Sequence, residues 1–492
     1  MNISDAFSAH ARNHPDRAAV EDGERIVTYA ELEALATCAA VNLRNEGIVP
    51  GDTVGLALPD SIEQIALLWA LARFGAVIFP IHAQLLRSKD EVGLDRHQLR
   101  VVIVAHATPS LPSGSNTIPL TALFRNSPEA PSQAAAPGGQ DPLYCAQSSG
   151  TTGTPKTFLM SHNQVIGSFQ SDEEFLRWTA ADRYIALIGP SFPVGCRLCF
   201  AALFAGATVI INRTTYVEEL VRLIRNKRVT VASLTPVHLR RILNFAAGKE
   251  PLFPLMRSLR VVTAGVTAGE RHLARRHVTP NVVIVYCCNE QSWIAAATPA
   301  DQDAEPDSVG RPVAGVQVEI VDEDNQALPF GAVGRLRVRS DHIATGYLNN
   351  PEADARAFQG GWFYPMDLAA INHDGYIILK GRADDLISAD GIKFYPIEVE
   401  TVLLTHPAVR EAAVFGWPHP MHGQIAVAAV TTSAQVTDKD IKAFCRQHLA
   451  LYKVPQLIMR LAELQRNEMG KIIKEPLKEK FRQKIAERPE EF

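Results

Sequence analysis

The stretch SSGTTGTPKT, residues 148–157, is rich in glycine and hydroxyl side chains and closes on a lysine. A Walker phosphate loop has a second glycine directly before its lysine, but Pro155 stands there. Proline lacks an N–H and disfavours a helical conformation for the residue before it. The following TFLMSH predicts a strand, with a helix beginning only after Ser161 as its N-cap. The sequence therefore predicts a phosphate loop outside the Walker class, or, taken alone, a Gly/Thr hairpin turn.

The chemistry of the loop suits phosphate. Glycines permit close approach of the backbone to a ligand, and a lysine supplies a point charge. The residues that carry this expectation are Ser149, Gly150, Thr151, Thr152, Gly153 and Lys156.

Segments before this loop alternate between helix and strand. Thr28 with Glu31 three residues later predicts a capping box, followed by the strand-like DTVGLAL. SIEQIALLWALARFG predicts a helix that ends at Gly75, and AVIFPI predicts another strand. This alternation is typical of a parallel α/β sheet.

Later segments differ in composition and in the length of their predicted elements. Residues 106–140 are rich in Pro, Ala, Ser and Gly and predict a long surface connection. Residues 309–339 hold short strand-like segments between turns and predict an antiparallel subregion. After YIILKGRADD, which ends at residue 385, helix-like and strand-like segments alternate over about the length of a small domain.

Composition and charge indicate which classes of partner and which cellular environment to expect. The formal net charge is −4 over 492 residues, without a basic block, so nucleic acid is not expected as a partner. Seven scattered cysteines predict reduced thiols. The longest charge-free apolar run, residues 198–211, is too short to span a bilayer, and the start lacks an apolar signal core. We expect a soluble cytoplasmic protein, with its oligomeric state left open.

YCAQSSGTTGTPKTFLMSH, residues 144–162, closely resembles the signature loop of the adenylate-forming superfamily, in which proline belongs at this position. That superfamily includes AMP-forming acyl-CoA synthetases, peptide-synthetase adenylation domains and firefly luciferases. TAGVTAGE (263–270), YCCNE (286–290), the stretch 346–387 ending in GRADDLI, and NEMGKIIKEPLKEKF (467–481) resemble its further motifs in order. The resemblance runs from about residue 5 to residue 478.

The resemblance implies an α/β fold: a large N-terminal domain, residues 1–382, and a small mobile C-terminal α+β domain, residues 383–492. Asp384 would be the hinge between them. It implies ATP-dependent activation of a carboxylic acid to an acyl adenylate, followed by transfer to a thiol. The implied cofactors are ATP, Mg²⁺ and coenzyme A.

Site residues follow by resemblance. Lys471, Glu290 and Lys156 would be catalytic, and Glu290 would bind the Mg²⁺ ion. Gly391 would line the passage for the thiol. The nucleotide would contact Ser148 to Gly153, Gly265, Val266, Tyr286, Cys287, Asn289, Asp367, Arg382 and Lys471.

The chain departs from the family pattern at several places. Cys287 replaces a glycine, Asn289 a threonine and Thr157 a glycine, while PMD stands for TGD before Asp367. Without the resemblance, Tyr286 would suit a core aromatic, and the Gly-Arg-Ala-Asp-Asp turn would suit a charged loop.

The segment that bears on the identity of the acid is GPSFPVGCRL, residues 189–198. By resemblance, Phe192, Gly195 and Arg197 would belong to the acyl pocket, and the absence of an acid there disfavours an α-amino acid. Arg197 either pairs a second polar group of the substrate or, the expectation we favour here, bonds backbone or a surface acid near a helix start.

The thiol acceptor is expected to be coenzyme A, because no carrier-protein segment follows Lys471. The alternatives are a ligase that loads a separate acyl carrier protein, a non-catalytic nucleotide-binding protein and, remotely, a P-loop NTPase. Retention of Lys156, Glu290, Asp367, Arg382 and Lys471 together disfavours the non-catalytic alternative.

Overall fold

A computed structural model describes residues 1–81, 99–105, 116–125, 137–148, 156–173, 175–246, 251–262, 265–433, 435–466 and 472–487. The loop residues Ser149 to Gly153 and the lysine Lys471 lie outside these ranges.

The first part of the chain forms the predicted alternation of helices and strands. Thr28 caps its helix in a capping box with Glu31, and Gly75 ends the third helix at φ 86°. The elements are α1 (Ile3–Asn13), β1 (Ala18–Asp22), β2 (Arg25–Thr28), α2 (Tyr29–Asn45), β3 (Thr53–Ala57), α3 (Ile62–Phe74), β4 (Val77–Pro80), β5 (Val101–Val104), β6 (Thr117–Pro119), α4 (Leu120–Leu123), β7 (Pro142–Ser148), β8 (Lys156–Ser161) and α5 (His162–Gln170).

The predicted phosphate loop connects the last two strands, β7 and β8, of one sheet. Its strands lie in the order β6-β5-β3-β4-β7-β8. All neighbours are parallel except β7 and β8, which form an antiparallel pair. Strands β4 and β5 are buried along their whole length, as expected of the inner strands of a parallel sheet.

The segment 106–140 corrects a prediction. Residues Thr117–Pro119 form strand β6, which pairs in parallel with β5, and helix α4 follows at once. Ile118 and Leu123 are buried, so their apolar side chains attach this part to the sheet although the surrounding composition resembles a loop. The rest of the segment up to residue 136 lies outside the described residues.

The middle of the chain builds a second sheet, in the order β15-β14-β13-β12-β11-β9-β10-β1-β2. Its inner strands from β1 to β13 run parallel, and β2, β14 and β15 are antiparallel to their neighbours. The new elements are β9 (Arg183–Ala186), α6 (Pro193–Phe204), β10 (Thr208–Ile211), α7 (Val217–Asn226), β11 (Val231–Leu234), α8 (Pro236–Ala246), β12 (Ser258–Val261), α9 (Ala268–His277), β13 (Val282–Cys288), β14 (Ser292–Ala297), α10 (Pro299–Ala304) and β15 (Arg311–Pro312).

Apolar packing fixes the helices on this sheet. Leu220 and Ile224 of α7, Leu239 of α8 and Ala274 of α9 join one buried cluster with strand residues such as Leu259. Helix α7 has its apolar side chains on one face only, which is why it lies at the surface of the sheet.

Short antiparallel strands follow, as predicted for residues 309–339. They are β16 (Gln317–Val321), β17 (Gly334–Arg339), β18 (Phe358–Gln359), β19 (Trp362–Phe363), β20 (Asp367–Ile371) and β21 (Ile377–Arg382), with helix α11 (Pro351–Ala357) between β17 and β18. Strand β19 pairs with β18 and with Val338 of β17, while β20 pairs with β21 and with Gly334 of β17.

The last part is a small α+β unit. Its elements are β22 (Ile387–Ala389), β23 (Ile392–Phe394), α12 (Pro396–Thr405), β24 (Val409–His419), β25 (Gly423–Thr432), α13 (Asp438–His448), β26 (Leu457–Arg460) and α14 (Lys474–Glu487). The strands lie in the order β23-β22-β25-β24, with β26 parallel to β25.

Each face of this last sheet has its own apolar core. Val399 and Leu403 of α12 and Ile441 of α13 pack on one face. Leu477 and Phe481 of α14 pack on the other. The two covered faces explain the nearly continuous apolar run IAVAAV in β25.

The described residues group into two compact units: Met1–Gln317 with Val338–Phe363, and Val318–Arg337 with Tyr364–Phe492. The predicted fold class, α/β with an antiparallel subregion and a smaller C-terminal α+β part, is confirmed. The division at residues 382 and 383 stays a prediction.

The cysteines and the helices bear on two further expectations. All seven cysteines carry free thiols, as predicted. Among the helices of the described residues, none is both long and apolar enough to cross a bilayer.

Gly310→Ala should destabilise the first unit more than Gly315→Ala. Both glycines have positive φ, 91° and 75°, so each alanine costs about 1 kcal/mol of backbone strain. A Cβ at Gly310 would also lie 1.8 Å from the Ala296 carbonyl oxygen, whereas a Cβ at Gly315 meets no heavy atom within 4 Å. Overpacking adds about 1 to 3 kcal/mol. Thermal unfolding midpoints of the two variants measure the difference, and equal midpoints would contradict it.

Candidate active site

The predicted phosphate loop connects two antiparallel strands. Ser148 ends β7 and Lys156 begins β8, and the two residues pair directly across the ladder. Strand β8 runs to Ser161, which caps α5 in a capping box with Gln164. The predicted strand after the lysine is confirmed, so no helix N-terminus follows the loop as it does in a Walker site.

Glu290 lies in the tight turn between β13 and β14. It is buried, with 5% of its surface exposed. Its backbone carbonyl accepts a hydrogen bond from Ala344 N at 2.8 Å, and its side-chain Oε1 accepts one from the Tyr347 hydroxyl at 2.8 Å. A buried carboxylate requires such donors, because an unpaired charge away from water is costly.

Tyr347 connects the two predicted catalytic side chains. The Lys156 ammonium lies 5.2 Å from the centre of its ring, within the range of a cation–π contact. The backbone N–H of Leu348 donates to the Thr157 carbonyl at 2.7 Å, which fixes this segment beside β8. Lys156 and Glu290 are therefore brought together through one aromatic side chain.

Sequence reasoning did not single out Tyr347. Its hydrogen bond to Glu290 joins residues 57 positions apart, and its contact with Lys156 spans a still greater separation. A tyrosine in the sequence GYLNN has no local pattern that marks such partners, so only the fold identifies it.

The predicted adenine motif lies at the end of β13. Tyr286 and Cys287 are half-buried, and the β13–β14 ladder has a register shift between them. Asn289 Nδ2 donates to the Gln147 carbonyl at 3.0 Å, which joins this turn to the end of β7. Asn289, which replaces a threonine, therefore has a structural partner at the base of the phosphate loop.

The second adenine segment is only partly described. Gly265 is exposed and Val266 is buried, while residues 263 and 264 lie outside the described ranges. A Cβ at Gly265 would meet no heavy atom within 4 Å.

Glu290 fits a magnesium ligand. Mg²⁺ is held by oxygen donors, commonly one or two carboxylates together with substrate phosphates. Among the described residues no cluster of three or more His, Cys, Asp or Glu side chains suits a metal ion, so an all-protein cage is not formed there. One buried carboxylate oriented by Tyr347 beside the loop matches the phosphate-assisted type of site.

Asp367 and Arg382 lie opposite each other in the second unit, paired across β20 and β21. Arg382 Nη1 donates to Asp367 Oδ1 at 3.3 Å, and its Nε donates to Asp384 Oδ1 at 2.9 Å. Burial alone would lower the pKa of Arg382, but the hydrogen bond to Asp384 and the two carboxylate charges raise it. The guanidinium thus connects the predicted ribose carboxylate with the predicted hinge residue.

Met366, in the PMD sequence, has φ 66°. A non-glycine residue rarely adopts this left-handed conformation. The position is the one at which the resembled TGD motif has glycine, so the backbone bend is kept although the residue type has changed.

A lysine of the C-terminal helix contacts the segment that holds the predicted hinge residue Asp384. Lys474, three residues after Lys471, donates to Asp385 Oδ2 at 2.7 Å. Gly391 lies in the exposed turn between β22 and β23 at φ 78°, where a Cβ would meet no heavy atom within 4 Å.

The segment predicted to bind the acid forms the start of α6. Phe192 is the N-cap, and Pro193 is the first helical residue. A Cβ at Gly195 would lie 1.9 Å from the Gly189 carbonyl oxygen, so glycine lets the helix approach the preceding loop. Gly195 therefore has a packing role at this position.

The favoured expectation for Arg197 is wrong. Among the described residues its side chain bonds neither backbone nor a surface acid, and it is buried with 3% of its surface exposed. Its Nη1 donates to the Ser168 hydroxyl at 3.3 Å, and its guanidinium lies 4.3 Å from the centre of the Trp293 ring. Helix α6 packs against β9 and β10, and the residues on either side of Arg197, Cys196 and Leu198, are buried. Arg197 therefore lies in the interior as well.

His342 lies near this buried arginine. Its Nε2 is 3.0 Å from Gln291 Nε2 and 3.2 Å from the Ser171 hydroxyl. Burial lowers the pKa of His342 to about 4, and the charge of Arg197 acts in the same direction. The imidazole is therefore neutral near pH 7.

Comparison with known proteins gives a family match over most of the chain. A family described as AMP-binding enzyme matches residues 7–348, and the AMP-binding enzyme C-terminal domain matches residues 398–471.

Individual relatives match over nearly their whole length. The chain is 30% identical to the long-chain-fatty-acid–CoA ligase FadD13 of Mycobacterium tuberculosis, covering 92% of this chain and 93% of the relative. It is 28% identical to the oxalate–CoA ligase of Arabidopsis thaliana, covering 96% and 97%. The structure of o-succinylbenzoate coenzyme A synthetase from Bacillus subtilis in complex with ATP and magnesium superposes with a TM-score of 0.88 at 24% identity, covering 96% and 99%.

His342→Gln should weaken the loss of stability in mild acid. In the folded chain the pKa of His342 is about 4, below the ordinary 6.5, so the unfolded chain binds the additional proton between these values. Stability is present above pH 6.5 and is lost as the pH falls towards 4, by on the order of 3 kcal/mol for this group. Unfolding midpoints at pH 7.5 and pH 5 should differ less in the variant than in the wild type. Substitution of the exposed His14 by glutamine is the control, and an unchanged pH dependence in His342→Gln would contradict the assignment.

Proposed function

The chain belongs to the AMP-binding enzyme family, and we propose that it is an acid–thiol ligase which activates a carboxylic acid with ATP and transfers the acyl group to coenzyme A. The observation that carries this proposal is the placement of Lys156 and Glu290 on either side of Tyr347, beside the end of the phosphate loop. The relatives described above are CoA ligases by name, which favours coenzyme A over a carrier protein as the acceptor.

The first step is adenylation. A carboxylate oxygen of the acid attacks the α-phosphorus of ATP, the bond to the β-phosphate oxygen breaks, and pyrophosphate leaves. Negative charge grows on the phosphoryl oxygens in the transition state. Lys156 and the N–H groups of the loop oppose this charge, and Lys471 adds a second cationic contact.

Magnesium supplies further charge neutralisation on the phosphates when it is bound, with Glu290 as its protein ligand. Tyr347 holds Glu290 through its hydroxyl and leaves the second carboxylate oxygen for the ion. The tyrosine acts as a positioning residue, since it orients a ligand that contacts the ion.

The nucleoside is held by residues of the adenine motifs and by the ribose-binding residues Asp367 and Arg382. Tyr286 stacks on the adenine, Gly265 and Val266 lie along it, and Asp367 accepts hydrogen bonds from the ribose hydroxyls. Arg382 contacts ribose and phosphate oxygens, for which its guanidinium is already oriented by Asp384.

The second step transfers the acyl group. The thiol sulfur of coenzyme A attacks the acyl carbon, the bond to the AMP oxygen breaks, and the thiol proton is lost to solvent. Residues 383–492 turn about Asp384 against residues 1–382 between the steps, which withdraws Lys471 and brings the turn at Gly391 to the site. Pairing of Arg382 with Asp384 supports this placement of the hinge, because it links the last residue of the strand before the division to the second residue after it.

The acid is the substrate in which the named relatives differ. The relatives differ in substrate by name, a long-chain fatty acid for one and the dicarboxylic acid oxalate for the other. Phe192 and the apolar start of α6 suit an aliphatic or aromatic body.

Lys471→Ala should reduce acid-dependent pyrophosphate release from Mg²⁺-ATP at least a hundredfold. Loss of one charge-stabilising donor in such a site costs about 2.7 to 4 kcal/mol. The assay covers short, branched, aromatic and dicarboxylic acids with and without coenzyme A, and identifies AMP and the acyl-CoA as products. Substitution of Lys478, a solvent-side lysine of α14, by alanine is the matched control.

Three outcomes would contradict this proposal. ADP as the product would indicate phosphate transfer, and absence of release with every acid would leave a nucleotide-binding protein without this activity. Adenylate that forms but never reaches coenzyme A would move the acceptor to a carrier protein.

Tyr347→Phe should raise the Mg²⁺ concentration needed for half-maximal adenylation by about 10-fold to 100-fold, the usual effect of losing the partner that orients a metal ligand. Phenylalanine keeps the ring beside Lys156 and removes only the hydrogen bond to Glu290. Tyr364→Phe, which loses a 2.8 Å hydrogen bond to Asn325 in the second unit, is the control. A Mg²⁺ requirement that is equal in both variants would exclude the positioning role.

A further inference from the structure

A cluster of charged and aromatic side chains lies buried in the first unit. It consists of Asp172, Trp178, Arg197, Arg260 and Trp293, which we term the Arg197 cluster. Asp172 and Arg260 are 0% exposed and Arg197 is 3% exposed. Two guanidinium groups therefore share the interior with one carboxylate, and the nearby His342 is neutral.

Asp172 is hydrogen-bonded to Arg260 through one of its two oxygens. Oδ2 accepts from Arg260 Nη1 at 3.4 Å and from Trp178 Nε1 at 3.1 Å. Oδ1 of Asp172 and the Nε and Nη2 atoms of Arg260 have no hydrogen-bond partner among the described residues. Burial by itself would raise the pKa of Asp172, while the charges of Arg197 and Arg260 act against it. The hydrogen bonds leave one buried positive charge, that of Arg197, without an anionic partner at hydrogen-bond distance among the described residues.

Arg197 has a buried hydrogen-bond donor without a partner among the described residues. Its Nη1 contacts the Ser168 hydroxyl, which in turn donates to the Val165 carbonyl. Its Nη2 has no hydrogen-bond partner among the described residues, and neither has Nε1 of Trp293, on whose ring the guanidinium stacks. Buried donors without acceptors and a buried unpaired charge are both costly, so a functional ligand is the physical explanation that offsets them.

The position of these donors relative to the reaction site is fixed by the chain. Trp293 follows Glu290 by three residues, and three residues span at most about 10 Å. Arg197 follows Phe192, at the start of the segment predicted to hold the acid, by little more than one helical turn. Through its contact with Trp293, Arg197 thus lies close in the fold both to the turn that carries Glu290 and to the segment predicted to hold the acid.

We propose that Arg197, assisted by Nε1 of Trp293, binds a second carboxylate of the substrate, so that the enzyme activates a dicarboxylic acid. This inference rests on the proposed function and names its substrate class. An incoming carboxylate supplies acceptors for the unused donors and an anion for the unpaired guanidinium. A methyl group in its place would leave both unsatisfied, so selectivity against the matched monocarboxylic acid is large.

The test compares kcat/KM for adenylation with acid pairs that differ only in the distal carboxylate: malonate with propionate, succinate with butyrate, glutarate with valerate, and terephthalate with p-toluate. The wild type should prefer one diacid over its partner at least a hundredfold. Arg197→Met should remove this preference, because it should lower the kcat/KM of the diacid about thirtyfold or more relative to that of its monocarboxylic partner.

Further variants separate binding from folding. Arg197→Lys should keep part of the preference for the diacid because it keeps the charge. Trp293→Phe keeps the ring and should lower the preference about threefold to tenfold. Arg257→Met removes an arginine that is paired with the buried Asp182, and should change stability without changing the ratio between the acids of a pair.

Two results would overturn the inference while leaving the proposed function intact: a wild type that uses diacids and monoacids equally well, or an Arg197→Met variant that loses both in the same proportion. If no acid is adenylated, the proposed function fails, and calorimetric titration of the same diacids and monoacids into wild type and Arg197→Met decides the subsite. Binding of a diacid that disappears in the variant supports it, and equal or absent binding refutes it.

Discussion

The hydrogen bond from Tyr347 to Glu290 joins the parts on which the candidate site depends. It reaches from the segment beside β8 to the turn between β13 and β14, which belong to two different sheets of the first unit. Neighbouring backbone bonds, from Ala344 to Glu290 and from Leu348 to Thr157, hold the same segment to both sheets. The lysine and the carboxylate are thus placed by backbone pairing, and the tyrosine side chain completes their connection.

Buried and half-buried guanidinium groups have different partners in the two units. In the second unit, Arg382 lies between Asp367 and Asp384, so a predicted ribose ligand and a predicted hinge residue share one guanidinium. In the first unit, the guanidinium of Arg197 lies in the interior against an aromatic ring, and the buried Asp172 is bonded to another arginine. The first arrangement gives one guanidinium two carboxylate partners, whereas the second leaves the Arg197 guanidinium without a carboxylate at hydrogen-bond distance among the described residues.

Local signals predicted much of the fold because they act within a few residues. The capping boxes at Thr28 and Ser161 and the left-handed Gly75 set the ends of helices through bonds to neighbouring N–H groups. Strand β6 was missed because few buried side chains, Ile118 in the strand with Ala122 and Leu123 in α4, attach it within a stretch whose composition resembles a loop. Burial depends on the partner sheet, which the local sequence does not contain.

The sequence by itself determined the order of the motifs, the fold class and the residue types available for phosphate, ribose and metal, because these follow from short-range patterns and from the resemblance that the motifs carry. Tertiary structure alone decided that Tyr347 connects Lys156 with Glu290, that Asn289 bonds to Gln147, and that Arg197 is buried against Trp293. The physical reason is distance along the chain. These contacts join residues about 57 to 191 positions apart, and their energies come from burial and pairing that exist only when the sheets have assembled.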